Sequence, residues 1–444
     1  MSRTLSSSVR FRSVRCRSGV SLSVVALASL LSTVASASDG VLDPTFSLDG
    51  KVTVDRAGLT SSDHGEAVAI QPDGKIVVAA TTAVNGVSNF AVTRLLANGA
   101  RDTAFGTNGW AIAGFTGTGG SRAKALAIQP DGKIVVAGTT ATPSASDNFA
   151  LVRFTSNGSI DTSFGSNGRV STDFGRGRAD RATAVVLQPD GKIVVGGETS
   201  NPSTVRDFAL ARYEANGALD MSFGEEGLVS TSFHTSIHDP DAATALSLQT
   251  DGRIVAVGMA GGDFAAVRYE TNGSLDPAFG IGGKVTVDVG GVNPGYANAV
   301  AIQVNGRIIA AGKVGNQNDS DFALVRLEAT GMLDLSFGTG GIATTNVYAA
   351  DEAFAVAVQA DGKIVAAGSG PFGENFLVAR YDANGVLDPS FSGDGVADTD
   401  FETSIDWVRG MAIQPDGRII VAGTLMKHTA STYVRFDVAV ARFW

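Results

Sequence analysis

One seven-fold repetition constrains this chain more than any other feature. An Asp-x-x-Phe step, usually followed by Gly, recurs at Asp43, Asp102, Asp161, Asp220, Asp276, Asp334 and Asp388. Each copy also has an apolar run, a Gln, a turn of Pro-Asp-Gly type and a second apolar run. The turn glycines are Gly74, Gly132, Gly191, Gly252, Gly306, Gly362 and Gly417, so successive copies lie 54–61 residues apart. A unit of this size cannot bury its own apolar faces, and the period implies a stacked array or a propeller.

The first copy reads as strands. Lys51–Asp55 and Ala67–Gln71 are short β-prone runs, and Pro72-Asp73-Gly74 is a turn whose Gly accepts the left-handed backbone. Lys75–Ala79 returns, and Phe90–Leu95 is a fourth run, ended by Asn98-Gly99. No useful helical stripe follows Ala37. Four strands in each of seven units predict an all-β, seven-bladed propeller with antiparallel blades. The run before each turn alternates Ala with Val or Ile, which suits the narrow centre of a ring, and is taken as inner strand A. The returning run is B, the Phe-x-x-x-Arg run is C, and the Gly-Lys-Val run is outer strand D.

The two ends of the repeat array are complementary. It opens with a lone D strand, Lys51–Asp55, and closes with A, B and C at 411–414, 418–423 and 437–443. Pairing them would close the ring and remove an open edge. Strand C carries an Arg in every copy: Arg94, Arg153, Arg212, Arg268, Arg326, Arg380 and Arg442. The first six stand eight residues before a step Asp. Arg442 is left over at one end and Asp43 at the other, so these two are expected to meet across the closure.

The segments Leu-Asp-Pro-Thr-Phe-Ser (42–47), Ala-Ile-Gln-Pro-Asp-Gly-Lys-Ile-Val-Val-Ala (69–79) and Asn-Phe-Ala-Leu-Val-Arg (148–153) resemble the delta-60 repeat of bacterial exported β-propeller proteins. The resemblance covers nearly all of 42–444. It implies a propeller and supplies no catalytic residues. Departures are local: Asn305 replaces the turn Asp, Val304 and Thr250 its Pro, and Val438 the strand-C Phe.

Residues 1–37 read as a cleaved secretory signal. Arg3, Arg10, Arg12, Arg15 and Arg17 precede a serine-interrupted apolar run, Val20–Ala35, and Ala35-Ser36-Ala37 is a small-x-small cleavage site. The run is short for a membrane span. The propeller then occupies 38–444, and export places the protein in the periplasm, at the cell surface or outside the cell. The single cysteine, Cys16, lies in the leader, so no disulfide is expected. With 34 basic and 44 acidic residues the net charge is −10, which argues against nucleic acid and anionic membranes as partners. A monomer is expected.

Residues repeated in every blade serve what every blade needs. The seven Arg, the seven step Asp and the seven Gln (Gln71, Gln129, Gln188, Gln249, Gln303, Gln359, Gln414) are therefore given structural roles, the Gln satisfying turn backbone groups. The A–B turns and C–D connections share one face; the variable D–A and B–C loops share the other. Just before strand A the ring reads Glu66, Lys124, Thr183, Thr244, Asn298, Phe354 and Arg409. Two residues earlier stand His64, Arg122, Arg181, Ala242, Tyr296, Glu352 and Trp407. From this rim His64, Glu66, Lys124, Tyr296, Asn298, Trp407 and Arg409 are the candidate ligand-binding residues, placed in loops at the mouth of the channel.

Enzyme signals are poor. The four histidines, His64, His234, His238 and His428, fall in expected loops, and there is no nucleophile elbow or phosphate loop. No cofactor and no metal site is expected, because a calcium site needs about six to eight oxygen ligands and no loop is that dense. The reading favours a binding scaffold for a glycan, peptide or protein. A hydrolase or lyase acting at the channel mouth and a purely structural envelope protein are the alternatives.

Overall fold

In the computed structural model of the chain, the described residues are 39–56, 62–115, 119–141, 147–175, 179–201, 204–233, 241–290, 295–316, 319–370, 373, 375–401, 405–428 and 434–444. The expected leader, His234 and His238 lie outside them. The described residues form seven four-stranded antiparallel sheets and no α-helix. Blade 1 shows the plan: A is Asp63–Ile70, B is Ile76–Val84, C is Val87–Leu95 and D is Trp110–Ala113. Strand order within each sheet is A-B-C-D, and consecutive A strands lie side by side around the ring, the last against the first.

Closure follows the expected route. Lys51–Val54 pairs with the last strand, Val434–Phe443, in the register Lys51↔Ala441 to Val54↔Val438. Backbone bonds Asp43 N→Arg442 O (2.8 Å) and Arg442 N→Gly50 O (2.9 Å) extend the seam, and the Arg442 guanidinium reaches the Asp43 carboxylate at 2.7 Å.

The turns form as their residues require. Gly74 donates its N–H to the Gln71 carbonyl at 2.9 Å with φ +81°, a conformation that favours glycine. Asp73 accepts the Lys75 N–H on its side chain, and Asn305 does the same for Arg307, so that departure is silent. Strands B and C are buried on both sides, as at Ile76–Ala80 and Phe90–Val92. They read as continuous apolar runs because a neighbouring blade covers each face. Each apolar core lies between two blades: Ile309, Phe322 and Leu324 of one blade pack with Ile364, Leu377 and Tyr381 of the next.

One unit recurs at every C–D connection. The seven Arg–Asp pairs span 2.6–2.9 Å. Each guanidinium also lies over the step Phe, 4.4–4.8 Å from the ring centre. In six blades the same Arg donates to a carbonyl of the next blade, as in Arg94 Nη1→Ser156 O at 2.6 Å. Arg380 takes the Asp39 carboxylate instead, at 2.9 Å. The A–B turn joins in: Lys192 reaches Asp220 at 2.7 Å and Arg418 reaches Asp43 at 3.1 Å. The A–B turns and C–D connections therefore share one face. The Gln role differs in detail. Gln249 and Gln359 donate to turn carbonyls of the next blade, Gly306 and Gly417, rather than to their own turns.

Candidate functional site

The opposite face begins with strand A, and strand A is longer than its sequence pattern suggests. The seven A strands are Asp63–Ile70, Ser121–Ile128, Asp180–Leu187, Asp241–Leu248, Tyr296–Ile302, Glu352–Val358 and Ile405–Ile413. Each pairs with its B strand through one register shift, between Gly65/Ala67, Ala123/Ala125, Ala182/Ala184, Ala243/Ala245, Ala297/Ala299, Ala353/Ala355 and Val408/Gly410. The residue skipped is Glu66, Lys124, Thr183, Thr244, Asn298, Phe354 or Arg409. The rim residues expected in loops are thus the extra residue of a β-bulge inside the strand. A bulge of this kind re-aims one side chain without ending the sheet. His64, Tyr296 and Trp407 also lie in strand A, as does His428 in a B strand, so the placement of these residues in loops is corrected.

What fixes the start of strand A escaped the sequence reading. Five blades carry an Asp three residues before the bulge: Asp63, Asp180, Asp241, Asp351 and Asp406, all fully buried. Each accepts backbone N–H groups from the preceding D–A segment, as in Phe174 N→Asp180 (2.8 Å), Phe233 N→Asp241 (2.7 Å) and Phe401 N→Asp406 (2.9 Å). Thr82 and Thr199 of strand B donate to the second oxygen of Asp63 and Asp180 at 2.5 Å. At the matching place beside Asp351 stands Gly370; Asp351 Oδ1 has no hydrogen-bond partner among the described residues, and burial raises the pKa of this carboxyl. The signal was present as Asp-x-x before the ring residue in five copies.

The bulge side chains do different work around the ring. Thr183 donates to the Ala243 carbonyl of the next blade at 2.9 Å, and Thr244 to the Ala297 carbonyl at 2.7 Å. Asn298 follows the same rule, donating to Ala353 O at 2.9 Å and to Glu352 Oε1 at 2.9 Å. These three stitch blades together. Lys124 pairs with Glu66 at 2.9 Å, and Arg409 lies 4.9 Å from the Phe354 ring centre.

The candidates fall into three groups. Glu66 and Lys124 form one, with a cavity of about 310 Å³ beside Lys124 that is lined also by Arg122, Arg181, Asp147 and Glu198. Arg181 there bridges Asp147 at 2.8 Å and Glu198 at 3.1 Å. Tyr296 and Asn298 converge on Glu352, whose Oε1 accepts the Tyr296 hydroxyl at 3.0 Å. Lys313, opposite Tyr296 on strand B, approaches Glu352 Oε2 at 3.3 Å. Burial first, and then the Glu352 charge, raise the pKa of Tyr296. In the third group Trp407 stacks on Phe436 with ring centres 6.2 Å apart, and His64 also packs on Phe436, at 4.4 Å. Burial lowers the pKa of His64 against the pull of Glu66 and Asp63. Trp407, Ile405, Phe354, Glu352 and Lys313 line a cavity of about 390 Å³. Glu352, Lys313 and Phe436 are contributors that the candidate set lacked.

Three carboxylates, Asp55, Asp63 and Asp437, come within reach of one another at the ring closure. Arg435 forks onto Asp437 at 2.6 and 2.7 Å and pairs with Asp55 at 3.0 Å, while Lys427 approaches Asp437 at 3.3 Å. The cluster includes an ion-pair network in which Arg435 ties Asp55, at the end of the N-terminal strand, to the last blade.

With this geometry in hand, comparisons with known proteins can be placed. Six segments, 71–105, 129–164, 188–223, 249–279, 303–337 and 359–391, match the family described as "Domain of unknown function (DUF5122) beta-propeller". Each runs from the turn Gln to the step Phe or its immediate surroundings. The seventh copy is divided between 414–443 and 43–46, at opposite ends of the chain, and so offers no continuous match. No curated protein matches the sequence. Among solved structures, a protein of unknown function from Dyadobacter fermentans is 11% identical with a TM-score of 0.45, covering 89% of this chain and 98% of its own. The polysaccharide lyase Uly1 is 11% identical with a TM-score of 0.47, covering 91% and 96%. The α-L-arabinofuranosidase Arb93A from Fusarium graminearum is 8% identical with a TM-score of 0.46, covering 91% and 97%. Likenesses at this depth say nothing about activity.

Proposed function

We propose that this is an exported binding module of the propeller-repeat type, and that its ligand is met by the face on which the A strands begin. One observation carries the reading. Seven geometrically equivalent bulge positions hold six residue types, Glu, Lys, Thr, Asn, Phe and Arg, whereas the seven Arg–Asp–Phe units of the opposite face are the same in every blade. A ring that only needed to close would have no use for this asymmetry, and recognition requires it. His64, Glu66, Lys124, Tyr296, Asn298, Trp407 and Arg409 are the residues assigned to contact. The test is a combined glycan and peptide array probed with the protein and with a Trp407→Phe, Tyr296→Phe, Arg409→Gln variant, which keeps the rim's shape. Binding lost in the variant at unchanged melting temperature supports the reading. Binding equal in both, no binding to any member, or turnover of a bound member in place of retention contradicts it; the last outcome would make the site a hydrolase or lyase site.

A further inference from the structure

Resting on that reading, we infer that the cavity bordered by blades 5, 6 and 7 takes a neutral saccharide ring. Its wall is formed by Lys313, Glu352, Phe354, Ser369, Ile405 and Trp407, and its volume of about 390 Å³ falls within the range of about 300–1,000 Å³ for small-ligand sites.

Lys313 and Glu352 face each other at 3.3 Å, so the cavity wall carries no net charge. A cationic ligand is disfavoured. Glu352 Oε1 is already held by Tyr296 and Asn298, and a cation would have to displace Lys313 from Glu352 Oε2. An anionic ligand would meet the Glu352 carboxylate and would have to break its contact with Lys313. What remains is a neutral ligand.

The polar atoms left over then define that ligand further. The Trp407 indole N–H meets no acceptor among the described residues. Ser369 Oγ accepts the Val408 N–H at 2.8 Å and keeps its own proton to donate. Among the described residues Glu352 Oε2 is met by Lys313 alone, at 3.3 Å, and keeps a further lone pair to accept with. Two donors and one acceptor thus border a wall that is otherwise aromatic and aliphatic. A molecule that fits needs hydroxyl groups on its edge, which both donate and accept, and a face of C–H bonds. An aromatic face carries negative charge density that attracts polarised C–H groups. Trp407 and Phe354 supply such faces, and the Phe436 stack holds Trp407 against rotation. A pyranose ring has this combination, with apolar C–H faces and a hydroxylated rim. An extended peptide could pair its backbone N–H and C=O groups with these atoms, but alanine-like side chains give it no flat C–H face to lay on the rings.

The test uses the full chain and four probe classes: neutral oligosaccharides (cello-, xylo- and malto-tetraose), oligogalacturonate, choline, and alanine tetrapeptide. Trp407 is the reporter, since Trp110 is buried in the core and Trp444 sits under Arg418 on the opposite face. At least one neutral oligosaccharide should bind with Kd in the range of about 1 mM or tighter and shift indole emission. Trp407→Ala should weaken it by about tenfold or more, and Glu352→Gln by about threefold or more. Met221→Ser, an exposed residue of a C–D connection on the opposite face, should leave it unchanged, and all three variants should melt as folded proteins. Two results overturn the inference. One is that none of the neutral probes binds. The other is that one binds with an affinity indifferent to both Trp407→Ala and Glu352→Gln. If oligogalacturonate, choline or the peptide binds in a Trp407-dependent way, the ligand class is wrong while the face assignment survives. If any probe binds but only substitutions at the opposite face, such as Val304→Ser with Met332→Ser, weaken it, the face assignment fails as well.

Discussion

The two faces of this ring are built from the same strands and obey opposite rules. On the face of the A–B turns, seven buried arginines repeat one geometry: a step Asp, a step Phe and, in most blades, a carbonyl of the next blade. On the face where the A strands begin, seven identical backbone bulges present different side chains. The contrast teaches where selection for folding acted. Register between blades needs a device that works at every junction, and the Arg–Asp–Phe unit is that device. The bulge is also repeated, but only its backbone is; its side chain varies, while the strand is held by its pairing with strand B in every blade and, in five of the seven, by a buried Asp three residues before the bulge.

The comparison predicts unequal costs. The largest should follow deletion of 39–56. This removes the outer strand of the last blade together with Asp43 and the fully buried Phe46, and leaves Arg442 buried without its partner. Burial of the phenylalanine alone is worth about 3–5 kcal/mol on truncation, and an uncovered sheet edge invites association. Calorimetry and light scattering should show a lower melting temperature and aggregation; a stable monomer would contradict the closure.

Next, Arg153→Ala should destabilise by about 2–4 kcal/mol, because it takes the hydrogen-bonded guanidinium from the largely buried Asp161 and leaves only the Lys133 ammonium, at 3.5 Å. Chemical denaturation measures this. A loss below about 1 kcal/mol would show that the repeated unit is decoration rather than register.

The same carboxylates predict acid sensitivity. Burial opposes ionisation of Asp161, but hydrogen bonds from Ser163 and the Arg153 guanidinium outweigh it and hold the carboxyl at about 2, below its usual 3.8. Asp220, Asp276, Asp334, Asp388 and Asp43 are lowered in the same way, each against a burial cost. A folded-state pKa below the unfolded one contributes stability that is complete above pH about 4 and is lost as pH falls toward about 2. Melting temperature should therefore drop steeply across that window. Arg153→Ala should flatten the drop in proportion to the pair it removes, whereas Lys124→Ala should not change its slope.

This division also explains what could be read without coordinates. The seven Asp-x-x-Phe steps and strand-C arginines were legible because every copy needed them, and the pairing of Arg442 with Asp43 followed from counting. The location of the rim residues was not legible. A bulge inserts one residue into a period-two strand, so the alternation that marked Ala67–Ile70 breaks at Glu66, and the upstream half of the strand reads as loop. Lys313 and Phe436 were invisible for a different reason. They belong to strands B and C and reach the rim only through cross-strand neighbours, Tyr296 for Lys313, and through stacking on Trp407 for Phe436. The five buried Asp residues before the bulge could have been found as a second repeat, had the search extended past the apolar runs.

Smaller effects should come from the rim. Thr183→Val and Thr244→Val each remove one hydrogen bond to the next blade and should cost about 1 kcal/mol. Lys124→Ala breaks a largely exposed pair and should cost less than about 1 kcal/mol. Thermal melts of the three variants would rank them, and a rim substitution as costly as Arg153→Ala would erase the distinction between the faces.

The most direct measurement takes one chain carrying Glu66→Ser, Lys124→Ser, Phe354→Ser and Arg409→Ser, and records its thermal melt beside its binding to whichever array member the parent retains. The account predicts a midpoint lowered by less than about 5 °C, given about 2–4 °C per kcal/mol or less for a chain of this size, with binding weakened by more than tenfold. A protein that no longer folds, or one that folds and binds as the parent does, would contradict it.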